Sequence, residues 1–107
     1  MSALENTLAA HIRAYGLPTP EREYRLCPER KFRLDFAWPA SMVCCEVSGG
    51  IYKRGGHTTA SGINRDAEKL NLATLRGWHY LIVTADHVKS GQAIQWIKAA
   101  LELYPPF

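Results

Sequence analysis

The chain has 107 residues, of which 47% are hydrophobic and 21% are charged. This length fits a single domain over residues 1–107, and the composition is that of a folded globular protein, which excludes a disordered or fibrous one. No apolar stretch approaches the roughly twenty residues that span a bilayer, and the first fifteen residues lack the features of a signal peptide. We therefore expect a cytoplasmic protein without a membrane partner.

The three cysteines are an odd number, and two of them, Cys44 and Cys45, are adjacent on a predicted strand. Neighbouring strand residues point to opposite faces, so we expect reduced thiols that pack in the core rather than a disulfide or zinc site. The net charge is +3, but five of the basic residues fall within residues 22–33. Such a cluster indicates either a nucleic-acid-binding face or a solvated basic surface without a partner.

Ser2 and Glu5 have the spacing of a capping box and predict an amphipathic helix that ends at Gly16. Two extended runs follow, over residues 23–27 and 31–37, separated by a turn. Alternation in the second run predicts one apolar face and one polar face. The apolar face carries Phe32, Leu34 and Phe36, and the polar face carries Lys31, Arg33 and Asp35.

Residues 42–47 form an almost continuous apolar run, which is typical of a central strand buried on both faces, and Glu46 is the exception in it. The glycine-rich residues 48–62 predict a long functional loop. A helix is expected over 63–76, a strand over 78–83, and a last helix capped by Asp86 or Ser90. The inner stripe expected for the middle helix consists of Ile63, Ala67, Leu70 and Thr74.

This order of elements predicts an α/β fold with an αβββαβ core and a mixed four-stranded sheet flanked by helices. The strands before and after the middle helix should pair in parallel through a right-handed crossover. Asp35 and Glu46 then come from neighbouring strands toward one end of the sheet. Two carboxylates converge in this way when a hard divalent cation offsets their repulsion, which suggests a metal-dependent nuclease.

Five short segments occur in a fixed order along the chain. They are RLDFAW at 33–38, VCCEVSGG at 43–50, GHT at 56–58, RDAEKLN at 65–71 and GWHYL at 77–81. Together they resemble phage-encoded endonucleases of the PD-(D/E)XK superfamily, within it the branch of the very-short-patch repair endonuclease. The resemblance covers about residues 21–90 and depends on the ordered set, because each segment is short and degenerate. It implies a restriction-endonuclease-like core and a phage origin.

The resemblance also implies a metal site. Asp35, Glu46 and the backbone carbonyl of Val47 match the family's ligands for Mg²⁺, for which Mn²⁺ can substitute. Mg²⁺ prefers octahedral oxygen coordination and activates water for attack on a phosphate. An upstream acid commonly assists in the family, and either Glu23 or Glu5 is available for this role, with Glu23 preferred because it is closer to the strands.

One position departs from the family pattern: Ser48 stands where the superfamily has a lysine, and serine carries no positive charge. In the mismatch-repair branch this position is also not lysine, and His57 and Asp66 match the histidine and aspartate that assist there. We hypothesise that Lys69 supplies the missing cation from the middle helix. The spacing of Asp66 and Lys69 also fits an exposed ion pair, which is the alternative.

The sequence thus predicts a DNA endonuclease in which Arg33, Lys53 and Arg54 contact backbone phosphates. A domain this small, without a recognition module, is expected to read DNA shape or junctions, and a two-fold homodimer would cut two strands in concert. No organic cofactor is expected. The alternative is an inactive DNA-binding or interaction module that retains the nuclease fold. A nucleophilic enzyme based on Cys44 or Cys45 is disfavoured because no histidine lies at meaningful spacing.

Overall fold

A computed structural model of the chain describes residues 2–48 and 60–106. None of the helices within these two ranges combines the length and the apolarity that crossing a membrane requires. The elements, in chain order, are α1 (Ala3–Ala14), β1 (Glu21–Arg25), β2 (Arg33–Trp38), a 3₁₀ turn (Pro39–Ser41), β3 (Val43–Val47), α2 (Ala60–Leu75), β4 (His79–Val83), α3 (Ala85–Ser90) and α4 (Gln92–Leu103).

The four strands form one open sheet in the order β1-β2-β3-β4. β1 and β2 are antiparallel, β2 and β3 are antiparallel, and β3 and β4 are parallel, with α2 as the crossover between the last two. Helices lie on both faces of this sheet. The α/β class, the mixed four-stranded sheet and the parallel last pair are therefore confirmed.

Several boundaries differ from the prediction. The first strand lies at Glu21–Arg25, two residues before the expected run, and α2 begins at Ala60, inside the expected loop. The last helix is two helices, because Gly91 adopts a left-handed conformation, with φ 86°, between them. The predicted caps Asp86 and Ser90 are wrong. Thr84 caps α3 in a capping box with His87, and Gly91 precedes α4.

Two hydrophobic clusters fill the two sides of the sheet. The cluster on the α1 side includes Phe36 and Cys45 and is covered by α1, α3 and α4, while the cluster on the α2 side includes Leu34 and Cys44 and is covered through Ala73. Cys44 and Cys45 thus point to opposite faces, as predicted, and both are buried free thiols. β3 is central and its first three residues are fully buried.

The predicted inner stripe of α2 is wrong. Ile63 is 57% exposed, and Ala67 and Thr74 are also exposed. The face turned toward the sheet carries Ala73, which is buried, and Lys69, which is half-buried. The inward face is completed by apolar Leu72, which packs on the same cluster as Ala73, and Lys69 lies on this face because its Nζ pairs with a carboxylate on β3.

Candidate functional site

The regular strand ladder breaks at Asp35. The β1–β2 register pairs Arg22 with Phe36 and Tyr24 with Leu34, but the position between them, where Asp35 would face Glu23, is skipped. Glu23 has φ 51°, a left-handed conformation that is uncommon for a residue other than glycine.

The two neighbours of Asp35 pack on opposite faces of the sheet. Phe36 belongs to the cluster on the α1 side, whereas Leu34 belongs to the cluster on the α2 side. The single apolar face predicted for Phe32, Leu34 and Phe36 is therefore wrong. Simple alternation assumes an undistorted strand, and β2 is distorted where the acidic residue lies.

Asp35 and Glu46 lie opposite each other, and the side chain of each accepts a hydrogen bond from the backbone of the other strand. The β2–β3 ladder ends at Phe36 opposite Cys45. Beyond it, the backbone N–H of Asp35 donates to Glu46 Oε2, and the N–H of Val47 donates to Asp35 Oδ2 at 2.9 Å. These side-chain bonds satisfy backbone groups that the ladder leaves unpaired. The two carboxylates predicted from the sequence are thus brought together.

Lys69 reaches the same point from α2. Its Nζ forms an ion pair with Glu46 Oε1, and the two side chains are only 17% and 14% exposed. The pKa of Glu46 is raised to about 7, mainly by burial and further by the nearby charge of Asp35, while the Lys69 charge lowers it in part. Asp66 is exposed one turn away. The alternative of an Asp66–Lys69 surface pair is replaced by a pair with Glu46.

Tyr80 on β4 also borders this pair, and the sequence reasoning did not single it out. Burial raises the pKa of Tyr80, and the charge of Glu46 and a hydrogen bond to Glu46 raise it further. The parallel register places Tyr80 beside Cys44, which shares a face with Glu46. The sequence predicts that β3 and β4 pair in parallel, but it does not predict their register. With the register known, Tyr80 would have been identified as a neighbour of Glu46.

Three carboxylates meet on the other side of Asp35. Oxygens of Glu5, Glu23 and Asp35 all lie within 4.8 Å of one another. Burial raises the pKa of Glu5, and the charges of Asp35 and Glu23 raise it further. Glu5 Oε1 is buried and accepts no hydrogen bond within the described residues. Both upstream acids that the sequence left as alternatives therefore lie next to Asp35.

Two neighbours place Glu5 in this group. Ser2 caps α1, accepts a hydrogen bond from the Glu5 N–H and donates its hydroxyl to Glu5 Oε2 at 3.3 Å. Arg22 Nη2 lies 3.9 Å from Glu5 Oε1, and its guanidinium stacks on the Phe36 ring at 4.5 Å. The capping-box spacing of Ser2 and Glu5 was visible in the sequence, but it indicated only the start of a helix.

The remaining predicted residues are more scattered. Arg33 is exposed on β2. Ser48 is half-buried after β3, and its N–H donates to the carbonyl of Val83 at 2.7 Å. Lys53, Arg54 and His57 lie outside the described residues.

The donor set of this site fits a hard divalent cation. Glu5, Glu23 and Asp35 offer carboxylate oxygens close together. Burial is the main cause of the raised pKa of Glu5, and the charges of Asp35 and Glu23 add a repulsion that a cation would relieve. Glu46 differs, because both of its oxygens are engaged by Lys69 and by the backbone of Asp35. The geometry favours Glu5 and Glu23 over Glu46 as companions of Asp35 in a ligand set.

Comparisons with protein-family models, with curated proteins and with solved structures find no significant match. The likeness to PD-(D/E)XK endonucleases therefore stays a prediction made from the sequence. A functional conclusion has to come from the chemistry of the residues around Asp35.

Proposed function

We propose that the protein is a metal-dependent endonuclease that hydrolyses phosphodiester bonds in DNA. One observation carries the proposal: acidic side chains from four consecutive elements converge, with Asp35 at their centre, and a lysine lies at their edge. These acids are Glu5 of α1, Glu23 of β1, Asp35 of β2 and Glu46 of β3. Like charges gathered at such a cost are typical of a site whose ligand is a cation.

Glu5, Glu23 and Asp35 would hold Mg²⁺, with Mn²⁺ as a substitute. When bound, such a cation offsets the repulsion among the carboxylates, polarises a phosphate and lowers the pKa of water. Asp35 is the central member, since the Val47 N–H fixes one of its oxygens at 2.9 Å. The orientation of this carboxylate is therefore set by the sheet before any ligand arrives.

Glu46 and Lys69 supply the remaining chemistry. A carboxylate whose pKa lies at about 7 accepts a proton efficiently near neutral pH, which suits Glu46 to take the proton of an attacking water. Lys69 carries the positive charge that Ser48 lacks, and such a charge stabilises the negative charge that develops on a phosphate. Since Lys69 contacts Glu46 directly, it also holds Glu46 in place.

The finer predictions belong to the same proposal. The order of one helix, three antiparallel strands, a crossover helix and a parallel strand is compatible with a restriction-endonuclease-like core. Selectivity for branched or junction DNA and a homodimer that cuts two strands are inferred from the small size of the domain. A role in phage DNA processing in the cytoplasm of a bacterial host is inferred from the sequence resemblance.

A non-catalytic DNA-binding module is the second candidate, and a specific observation favours it. Both oxygens of Glu46 are already bonded within the protein, to Lys69 and to the Asp35 backbone. A carboxylate with both oxygens bonded in this way also suits a purely structural purpose, namely to close the gap between β2 and β3.

Cleavage assays separate the two candidates. Linear, branched, mismatched and single-stranded DNA would be incubated with the protein in Mg²⁺, in Mn²⁺ and in chelator. We expect cleavage only with metal and at least about 100-fold slower cleavage by Asp35→Asn. This variant is a suitable control because its amide oxygen still accepts the Val47 N–H. Intact DNA in every arm, with retained DNA binding, would establish the non-catalytic module.

A further inference from the structure

The surface around Phe32 lies at the turn between β1 and β2, where α2 passes over it. We propose that this surface, formed by Arg30, Lys31, Phe32 and Arg65, binds the phosphate backbone of duplex DNA and leads the strand toward Lys69. The inference rests on the proposed function, because it names the surface that holds the DNA substrate. It adds Arg30, Lys31 and Arg65 to the DNA-contacting residues expected from the sequence.

Phe32 organises two arginines from different elements. Its ring is buried, with the Arg30 guanidinium carbon 4.5 Å from the ring centroid and the Arg65 guanidinium carbon 5.8 Å from it. Stacking on an aromatic ring restricts a guanidinium while leaving its N–H groups available at the edge. The two arginines are thus held near each other before a ligand binds, which lowers the entropic cost of binding.

The space between them suits an anion. A groove of about 460 Å³ is lined by Glu29, Arg30, Lys31, Phe32, Arg65 and Glu68. Guanidinium groups bind phosphate oxygens in a bidentate manner, and Lys31 adds a third cation at the same turn. A row of phosphates is the partner whose charge and geometry match these donors.

The helix α2 connects the groove with the candidate site, because Arg65 of the groove and Lys69 of the site belong to it. Arg65 and Lys69 are four residues apart and lie one above the other on the helix, with a rise of about 6 Å between them. Lys69 contacts Glu46 in the site. A phosphate backbone seated between Arg30 and Arg65 would thus extend along α2 in the direction of Lys69.

Both acidic residues of the groove are already paired with arginines, Glu29 with Arg76 and Glu68 with Arg30. Arg30 pairs with Glu68 at 2.8 Å, but their side chains are 45% and 52% exposed. Exposed ion pairs are weak because water screens them, so a phosphate can replace Glu68 as the partner of Arg30. This gives a second signature of the surface: Glu68→Gln should strengthen DNA binding.

The test measures binding of the full chain to a fluorescent DNA duplex by anisotropy, in chelator, over a range of salt concentrations. Each lost phosphate contact lowers the magnitude of the slope of log K against log salt by about 0.9. We expect a decrease of about 1.8 for the double variant Arg30→Ala/Arg65→Ala. The matched control, Arg13→Ala/Lys98→Ala, removes the same charge from α1 and α4, and its slope should not change. Thermal melting verifies that each variant is folded.

Two further measurements test the proposed surface, one with a charge-preserving variant and one with competitors of the DNA. Arg30→Lys/Arg65→Lys keeps the charge and the fold, and we expect it to retain most of the slope but to bind more weakly. Equal losses of DNA binding in Arg30→Ala/Arg65→Ala and in the control would refute the proposed surface. Displacement of the DNA by polyglutamate at equal carboxylate concentration, or by duplex RNA at equal phosphate concentration, would also refute it.

The outcome is independent of cleavage. If the wild type cuts DNA while Arg30→Ala/Arg65→Ala binds DNA normally, the proposed surface is refuted and the proposed nuclease activity stands. If Arg30→Ala/Arg65→Ala loses DNA binding while the wild type cuts no DNA, the proposed surface stands and the proposed nuclease activity is refuted.

Discussion

The two sides of β3 differ in how the chain satisfies its backbone. Toward β4 the parallel register is continuous, from Val43 opposite His79 to Val47 opposite Val83. Toward β2 the ladder stops at Cys45, and the side chains of Asp35 and Glu46 take over the bonding. We call these the closed side and the open side of β3.

The difference explains how acidic residues come to lie inside a sheet. Buried backbone N–H groups must find acceptors, and on the open side carboxylate oxygens provide them. The ends of β2 and β3 are thereby held together without the regular ladder. The open side thus combines a structural bond with the candidate site, whereas the closed side is ordinary sheet packed on a core.

The largest expected effect comes from removing the positive charge of Lys69, which lies on the open side. Lys69→Met leaves Glu46 without its partner and should lower the free energy of unfolding by about 3 kcal/mol, the low end for a broken buried pair. Cleavage of DNA should also be lost. Urea unfolding and a nuclease assay measure the two effects, with Lys98→Met on α4 as the control. A folded Lys69→Met variant that cuts at the wild-type rate would refute the role assigned to Lys69.

A cation should stabilise the open side. At a concentration about 100 times its dissociation constant, Mg²⁺ or Mn²⁺ should add about 2.7 kcal/mol to the free energy of unfolding. Thermal melting with and without metal measures this gain, which Asp35→Asn should abolish. Glu102→Gln, an exposed change on α4, should keep it. Identical melting curves with and without metal for the wild type would contradict the ligand set of Glu5, Glu23 and Asp35.

Substitutions on the closed side should change stability through packing alone, without changing the response to metal. Val83→Ala removes a fully buried side chain of the core and should cost about 2 kcal/mol. The metal-dependent gain in stability should stay the same, because no site carboxylate loses a contact. Chemical denaturation with and without Mg²⁺ tests both statements. Loss of the metal response in this variant would show that the two sides are not separable.

The smallest effect is a pH dependence that belongs to Glu46. Its pKa is raised from 4.5 to about 7 in the folded state, so the folded protein keeps a proton that the unfolded chain loses between these values. Stability should therefore fall as pH rises from about 4.5 to 7, with a slope of at most about 1.4 kcal/mol per pH unit. Unfolding at pH 5 and pH 7.5 measures the fall, which Glu46→Gln should remove and Glu102→Gln should retain. A Glu46→Gln variant with the wild-type pH profile would contradict it.

The sequence was informative about elements and less so about their faces. Alternation and apolar runs located four strands, and Glu46 stood out because an acid is rare in a buried strand. The face of α2 was misjudged, since hydrophobic periodicity ranked Ile63 as inward and Lys69 as displaced. Periodicity measures burial of apolar groups, so it does not detect a charged residue that is turned inward by a partner from another element.

By itself the sequence determined the α/β class, the parallel return through α2 and the choice of Asp35 and Glu46 as a candidate pair, because these follow from local patterns and from the order of elements. Only the tertiary structure decided that Glu5 and Glu23 both lie beside Asp35, that Lys69 meets Glu46, and that the ladder opens between them. Distances between elements far apart in the chain depend on packing and on strand register, and neither is encoded in a local pattern of residues.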